Sequence, residues 1–330
     1  MRTEEIKSLC GKYGINPSKK FGQNFLIDSR ITQIVANAAN LDRDDCVVEV
    51  GPGLGELTAE LAKKVKKVVA VEVDDRMYQA AKDLLAPYKN VELVHEDILE
   101  ISNERLVETF YNPSLPPLTL RGGETAIPPL KVRGGEGGVM KPYKLVANLP
   151  YSITSAVLRK FTEPAQIFAT QKFQSGKEEN LGGQNMPSLI VVMVQKEVAQ
   201  RVCAKPGEMS ILSVAVQYYG KPEIVKIVPR SAFWPQPEVD SAVLKIQVST
   251  ASAGQAGFRG QGSGVDDKQF FKVVRAGFAN RRKQLQNNLA TGFNISKEDA
   301  QKRLVKAGLS PKIRPQELTV EQWIALSCAL

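Results

Sequence analysis

Histidine is almost absent from this chain: 330 residues carry a single one, His95. Cysteine is sparse too, with Cys10, Cys46, Cys203 and Cys328 far apart and no C-x-x-C pair among them. These scarcities argue against disulfide frameworks, zinc ribbons and histidine-ligated metals, so no metal site is expected. Long apolar runs are also missing. The longest, "LIVVMV" from Leu189 to Val194, is far short of the roughly 20 residues a membrane span needs. The opening "MRTEEIKSLC" carries acidic residues where a secretory leader is apolar. A cytoplasmic protein with no membrane association is expected. Acidic residues are scarce in one region only. Of the 35 Asp and Glu, four lie in 268–330, against 12 of the 44 Lys and Arg, leaving 31 acidic and 32 basic residues before it. Nearly all of the +9 net charge therefore belongs to the last fifth of the chain. That region reads as a docking face for a polyanion, or more plainly as a solvated basic helix face.

What is present is an alternation. Between Cys46 and Gln195 short apolar runs ("CVVEV", "KVVAVEV", "VELVHED", "YKLVANL", "LIVVMVQ") are interleaved with segments of helical apolar spacing such as "GELTAELAKKV" and "DRMYQAAKDLLAPY". This predicts an α/β fold, a parallel sheet flanked by helices. Two more strand-like runs, "EIVKIVP" and "SAVLKIQV", follow, joined by "RSAFWPQPEVD". The expected organisation is a Rossmann-like domain over 1–248, a linker at 249–267 and a basic helical domain over 268–330. Residues 112–142 hold a near-duplication, "PPLTLRGGE" and "PPLKVRGGE". So few large apolar side chains cannot offset chain entropy, so 112–142 and 171–187 are expected to be disordered insertions, with a functional arm as the rival reading of the first.

The first strand runs into "EVGPGLGEL". Glycines in such a turn let a ligand approach the backbone, and the helix that follows offers unpaired N–H groups to an anionic group, which makes Gly51 and Gly53 candidate ligand contacts. The second strand ends near Glu72, where a carboxylate can accept both hydroxyls of a ribose. The third delivers Asp97 to the same edge, to accept from an adenine amino group or simply to be solvated. Gly55 comes only two residues after Gly53, so the G-x-G-x-x-G spacing that cradles a pyrophosphate is absent. That favours S-adenosylmethionine over a dinucleotide.

The fourth strand ends in "VANLPYS". If the acceptor is the exocyclic amine of a nucleobase, its lone pair is delocalised into the ring. The amide oxygen of Asn148 and the carbonyl of Leu149 can each accept one N–H and turn that lone pair toward a methyl sulfonium. Pro150 fixes the backbone, and Tyr151 offers a face for an extruded base, worth about 1–3 kcal/mol. Taken singly, each of these is also an ordinary turn or half-buried tyrosine.

With "KKFGQNFLID", "VVEVGPGLGELT", "VAVEVDDRM", "HEDIL", "VANLPYSITS", "VVMVQKEVAQRV", "SAFWPQPEVDSAV", "VVRAGFANRRKQLQNNL" and "RPQELTVEQW", the chain resembles the KsgA-type small-subunit ribosomal RNA adenine dimethyltransferases over nearly its whole length. The resemblance implies a class I methyltransferase sheet with a small helical C-terminal domain, and S-adenosylmethionine contacts at Asn24, Leu26, Gly51, Gly53, Glu72, Asp97 and Asn148. It implies two adjacent adenosines in a hairpin near the 3′ end of small-subunit ribosomal RNA as substrate, each methylated twice at N6. It further implies catalytic roles for Asn148, Leu149, Tyr151 and Phe233, the last as a second stacking aromatic where a core anchor is the plainer reading. Arg275, Arg281, Arg282 and Lys283 are then phosphate contacts on or beside a helix. A monomer acting on a pre-ribosomal small subunit is expected. A large-subunit adenine methylase, a ribosome-assembly or organelle-transcription factor in which catalysis is incidental, and, with little to favour it, a nicotinamide-dependent dehydrogenase are the competing readings.

Overall fold

The computed structural model describes residues 1–17, 24–111, 142–162, 186–249 and 266–330. The two expected insertions and the linker, apart from a few end residues, lie outside the described residues, as do Lys19–Gln23 of the first quoted motif. The main sheet carries seven strands in the order β4-β3-β2-β5-β6-β9-β7. Along the chain these are β2 (Cys46–Val50), β3 (Lys67–Glu72), β4 (Val91–His95), β5 (Lys144–Asn148), β6 (Leu189–Gln195), β7 (Gly220–Val228) and β9 (Ser241–Val248). A two-stranded ribbon joins β1 (Phe25–Leu26) to β8 (Phe233–Trp234).

The chain divides into two compact units. The first comprises Met1–Ser152, Asn185–Met193 and Arg230–Glu238, the second Ile153–Gln184, Val194–Pro229 and Val239–Leu330. In the first, β2 pairs in parallel with both β3 and β5, β3 with β4, and β5 with β6. Strands sandwiched on both faces read as continuous apolar runs rather than alternating ones, and all five residues of β2 are buried. The helices α1 (Thr3–Tyr13) and α2 (Ser29–Ala38) precede β2, and α3 (Glu56–Ala62), α4 (Asp75–Leu85) and α5 (Asn103–Tyr111) follow β2, β3 and β4 in turn. Each strand end is turned by local chemistry. At the end of β3, Glu72 Oε1 accepts from the N–H groups of Val73 (2.9 Å) and Asp74 (3.0 Å). Asp74 then caps α4 by accepting from Arg76 and Met77, both at 3.0 Å, which satisfies two of the helix's orphan donors. The strand ends expected at Val73, Asp97 and Leu149 fall one or two residues earlier; at Glu72 these side-chain bonds take over from the ladder.

In the second unit, β7 and β9 form an antiparallel pair with a bulge between Ile224 and Lys226. The helices here are α6 (Thr154–Thr162), α7 (Lys196–Val202), α8 (Ile211–Tyr219), α9 (Asp267–Gly277), α10 (Leu285–Phe293), α11 (Lys297–Lys306) and α12 (Val320–Ala329). One apolar core joins Met209, Val214, Tyr218 and Tyr219 to Phe270, Phe271, Leu285, Leu304 and Trp323. Tyr218 and Tyr219 both donate to Asp267, at 2.8 and 3.1 Å, and Tyr218 stacks on Phe270 with centroids 4.0 Å apart. The helices after 267 therefore share their core with α8. The expected break between a domain ending at 248 and one beginning at 268 is not where the compact units divide. The reason is physical: the apolar faces of α8, α9 and α12 are each other's cover.

Among the described residues, no helix is long and apolar enough to cross a membrane, and no group of three or more His, Cys, Asp or Glu could hold a metal ion.

Candidate functional site

The glycine turn between β2 and α3 is a backbone feature. Gly51, Gly53 and Gly55 have φ of 66°, 58° and 78°, a region that costs a residue with a Cβ about 1–2 kcal/mol. The Gly51 N–H donates to the Val71 carbonyl at 2.9 Å and that of Gly55 to Pro52 at 2.8 Å, so the turn is tied to the end of β3. Gly53 donates to Glu72 Oε2 at 3.4 Å. Glu72 is 7% exposed. Burial raises its pKa, and the N–H groups of Asp74, Gly53 and Val73 oppose that rise. The carboxylate is thus held in place beside the turn, and its long bond to Gly53 leaves Oε2 the less committed oxygen.

Asp97 belongs to the same edge. His95 pairs with Glu72 in the β3–β4 register, and Glu96 N–H donates to the Glu72 carbonyl at 3.0 Å. One Asp97 carboxylate oxygen accepts from Leu99 N–H at 2.9 Å, an Asx turn that orients the side chain. His95 itself stacks on Tyr78 (4.4 Å) with Nε2 3.2 Å from Asp75, a local arrangement of α4 and β4.

The fourth strand reaches this turn directly. A Cβ added to Gly51 would lie 3.6 Å from Pro150 Cδ, so the proline after Asn148 and Leu149 rests against the first glycine. Asn148 pairs with Met193, and Leu149 spends its N–H on the Met193 carbonyl at 3.1 Å. That fixes the peptide plane leading to its own carbonyl. Asn148 and Tyr151 are half-buried and Leu149 is buried.

From the other side, Phe25 pairs with Trp234 and Leu26 with Phe233 in the ribbon, and Ile27 N–H donates to the Ala232 carbonyl at 2.8 Å. A Cβ on Gly53 would meet Phe25 Cε1 at 3.9 Å. Phe25 and Leu54 belong to a small core with Ile6, Cys10, Ile15, Met77 and Ala80. Asn24 and Leu26 flank Phe25, so in an extended strand they share the face opposite it. Phe233 is 3% exposed and stands opposite Leu26 in the ribbon.

The first unit thus brings together Asn24, Leu26, Gly51, Gly53, Glu72, Asp97, Asn148, Leu149, Tyr151 and Phe233. A buried carboxylate beside a turn in which every second residue is glycine, and a second carboxylate two residues beyond the neighbouring strand, suit the ribose and base of a nucleoside. The basic candidates are in the second unit. Arg275 is in the last turn of α9, and Arg281, Arg282 and Lys283 form the turn before α10, all four exposed. Asn288 Nδ2 donates to the Asn280 carbonyl at 2.9 Å, Asn280 Oδ1 accepts from Arg282 N–H at 3.2 Å, and Arg281 donates to the Met209 carbonyl at 3.2 Å.

Two further residues, Phe25 and Glu49, stand beside the site. Phe25 was legible as the odd member of the alternation between Asn24 and Leu26. Glu49 was legible as the one charge in the fully apolar "CVVEV", a residue type almost never buried without a partner.

A family model for ribosomal RNA adenine dimethylase matches residues 15–329. The chain is similar to ribosomal RNA small subunit methyltransferase A of Dehalococcoides mccartyi, 38% identical over 97% of this chain and 90% of that one. It is likewise similar to the protein of the same name in Bacillus cereus, 36% identical over 98% and 94%. Among solved structures, the 23S rRNA methyltransferase ErmE superposes with a TM-score of 0.61 at 23% identity, over 93% of this chain and 99% of that one. A dimethyladenosine transferase from Plasmodium falciparum gives 0.60 at 21%, over 92% and 95%; at such identities both speak for the fold, which is that of class I methyltransferases. A glycine turn, two edge carboxylates and an Asn-Leu-Pro-Tyr strand end assembled on this sheet, together with a model match across 15–329, mean that the chain belongs to the ribosomal RNA adenine dimethylase family of methyltransferases.

Proposed function

We propose that this chain transfers methyl groups from S-adenosylmethionine to N6 of two adjacent adenosines in a hairpin near the 3′ end of small-subunit ribosomal RNA, yielding N6,N6-dimethyladenosines during subunit biogenesis. The observation that carries the reading is the contact of Pro150 with Gly51, because it brings the amine-gripping strand end to the donor-binding turn.

S-adenosylmethionine supplies an electrophilic methyl on a cationic sulfonium. Glu72 accepts from the ribose hydroxyls and Asp97 from the adenine amino group of that donor. The glycines keep side chains out of its way, and Asn24 and Leu26 close the opposite side. Asn148 Oδ1 and the Leu149 carbonyl each accept one N6–H of the target adenosine, which localises the nitrogen lone pair and aims it. Tyr151 stacks on the extruded base. The methylated nitrogen is cationic, so its proton leaves to water without a strong base. Phe233, opposite Leu26 in the ribbon, is the second aromatic of the site. Arg275, Arg282 and Lys283 hold RNA phosphates, with Arg281 partly committed to the Met209 carbonyl.

The test is incubation of the protein with labelled methyl donor and undermethylated small subunits, followed by nucleoside mass spectrometry. Dimethyladenosine at two adjacent positions is expected, with Asn148→Ala lowering transfer by orders of magnitude. Label appearing elsewhere, or an unimpaired Asn148→Ala, contradicts the reading.

A further inference from the structure

The proposed chemistry leaves one buried acid without a task. Glu49 is 1% exposed in the middle of the sheet, two residues before the first glycine of the turn. Its Oε2 accepts no well-formed hydrogen bond, and the one hydroxyl that acts on it, that of Thr58, is 0% exposed and likewise makes no well-formed bond. Orphaned buried polar atoms are rare, and each calls for a physical account. An ionised carboxylate at such a place would carry a large desolvation cost with no cation to offset it.

Among the described residues, no cation acts on Glu49. On β3 the charged groups are Lys67, at the far end of the strand and paired with Glu92 at 2.6 Å, and Glu72. On α3 they are Glu56 and Glu60, the latter paired with Lys63 at 2.5 Å. On β5 there is Lys144, paired with Asp45 at 2.7 Å. Of all these, the one that acts on Glu49 is Glu72, and it disfavours ionisation. Burial is the largest cause, opposed by the Thr58 hydroxyl and reinforced by Glu72, and together they hold the Glu49 carboxyl at about 8. The free chain near neutral pH therefore keeps a neutral acid behind the glycine turn.

We propose that Glu49 is a proton-linked positioning residue of the donor site: a neutral carboxylic acid in the free protein that ionises when a cationic sulfonium donor occupies the glycine turn, releasing one proton to solvent. The inference rests on the donor reading given above. On binding, the Glu49 O–H bond breaks and its proton passes to buffer. The carboxylate that remains faces the donor's positive charge, which replaces the missing cation. When the methyl has been transferred, the thioether product has lost that charge, and Glu49 takes a proton back. The acid thereby favours the loaded donor over the spent one, and its reprotonation favours product exchange.

The experiment is titration calorimetry of the full chain with S-adenosylmethionine and with S-adenosylhomocysteine, in two buffers of different ionisation enthalpy, between pH 6.5 and 9. Both ligands share an α-amino group that titrates in the same window, so the quantity read is the difference between them. Near pH 7 the sulfonium ligand is expected to release close to one proton more than the thioether. Its affinity should rise by up to tenfold per pH unit until the pH passes about 8, the value at which Glu49 is held. Glu49→Gln should abolish the difference and flatten the profile while both ligands still bind. Equal proton release by the two ligands in the unaltered chain overturns the proposal whether or not the variant folds. If neither ligand binds at all, it is the donor reading that has failed, and this proposal falls with it.

Discussion

Glu49 and Glu72 sit on adjacent parallel strands and are treated oppositely by what surrounds them. Glu72 receives three backbone N–H groups and Glu49 none. The sign of the stability effect at Glu49 follows. Its folded value of about 8 exceeds the ordinary 4.5, so between those values the folded chain holds a proton that the unfolded chain has lost. Its contribution is fully present below about 4.5 and is lost as pH climbs through 8. Glu49→Gln should therefore stabilise the protein at pH 8.5 and change little at pH 4.5, read as a melting-temperature gap that widens with pH; a gap independent of pH contradicts the assignment. At Gly55, φ is 78° and an added Cβ would lie 2.8 Å from Leu85 Cδ2. Gly55→Ala is expected to cost about 2–4 kcal/mol by chemical denaturation, from backbone strain and overpacking together. Adding Leu85→Ala should recover none of the strain share.

At the scale of elements, the ribbon of β1 and β8 is only two residues a side, yet it places Phe25 against Gly53 and Leu26 opposite Phe233. Phe25→Ala removes a member of the small core around Leu54 and should cost about 3 kcal/mol. Donor affinity is expected to fall at least tenfold while RNA affinity at low salt is kept; equal losses in both would mean general unfolding instead. The turn before α10 is the other element with a defined task. Arg282→Ala with Lys283→Ala should lower RNA affinity and make its dependence on salt shallower by roughly two contacts, leaving donor binding unchanged. Arg281 is a poorer probe, because its guanidinium also holds the Met209 carbonyl.

At the scale of the whole molecule, the basic C-terminal helices are not an appendage. Phe270, Phe271, Leu285 and Trp323 complete a core begun by Met209, Val214 and Tyr218. Ending the chain at 248 should expose that half-core and give an insoluble or non-cooperatively unfolding product. A soluble piece of 1–248 with a sharp melt would instead show that 1–248 is a domain by itself. Most of the sheet was legible because its strands are buried on both faces and read as unbroken apolar runs. The shared core of α8 and the last helices was not, because "LSVAVQYY" and "QFFKVVRAGF" each show an apolar face without showing which face covers it.

The sequence by itself determined the sheet, the glycine turn, the edge carboxylates and the Asn-Leu-Pro-Tyr strand end, since each is a local pattern whose spacing carries its geometry. Tertiary structure alone decided that Pro150 lies on Gly51, that Phe233 is covered, that α8 shares its core with the last helices, and that Glu49 is buried with no cation beside it among the described residues. Those are facts about groups far apart in the chain, where burial and pairing depend on the neighbours that folding brings and on no residue's own spacing.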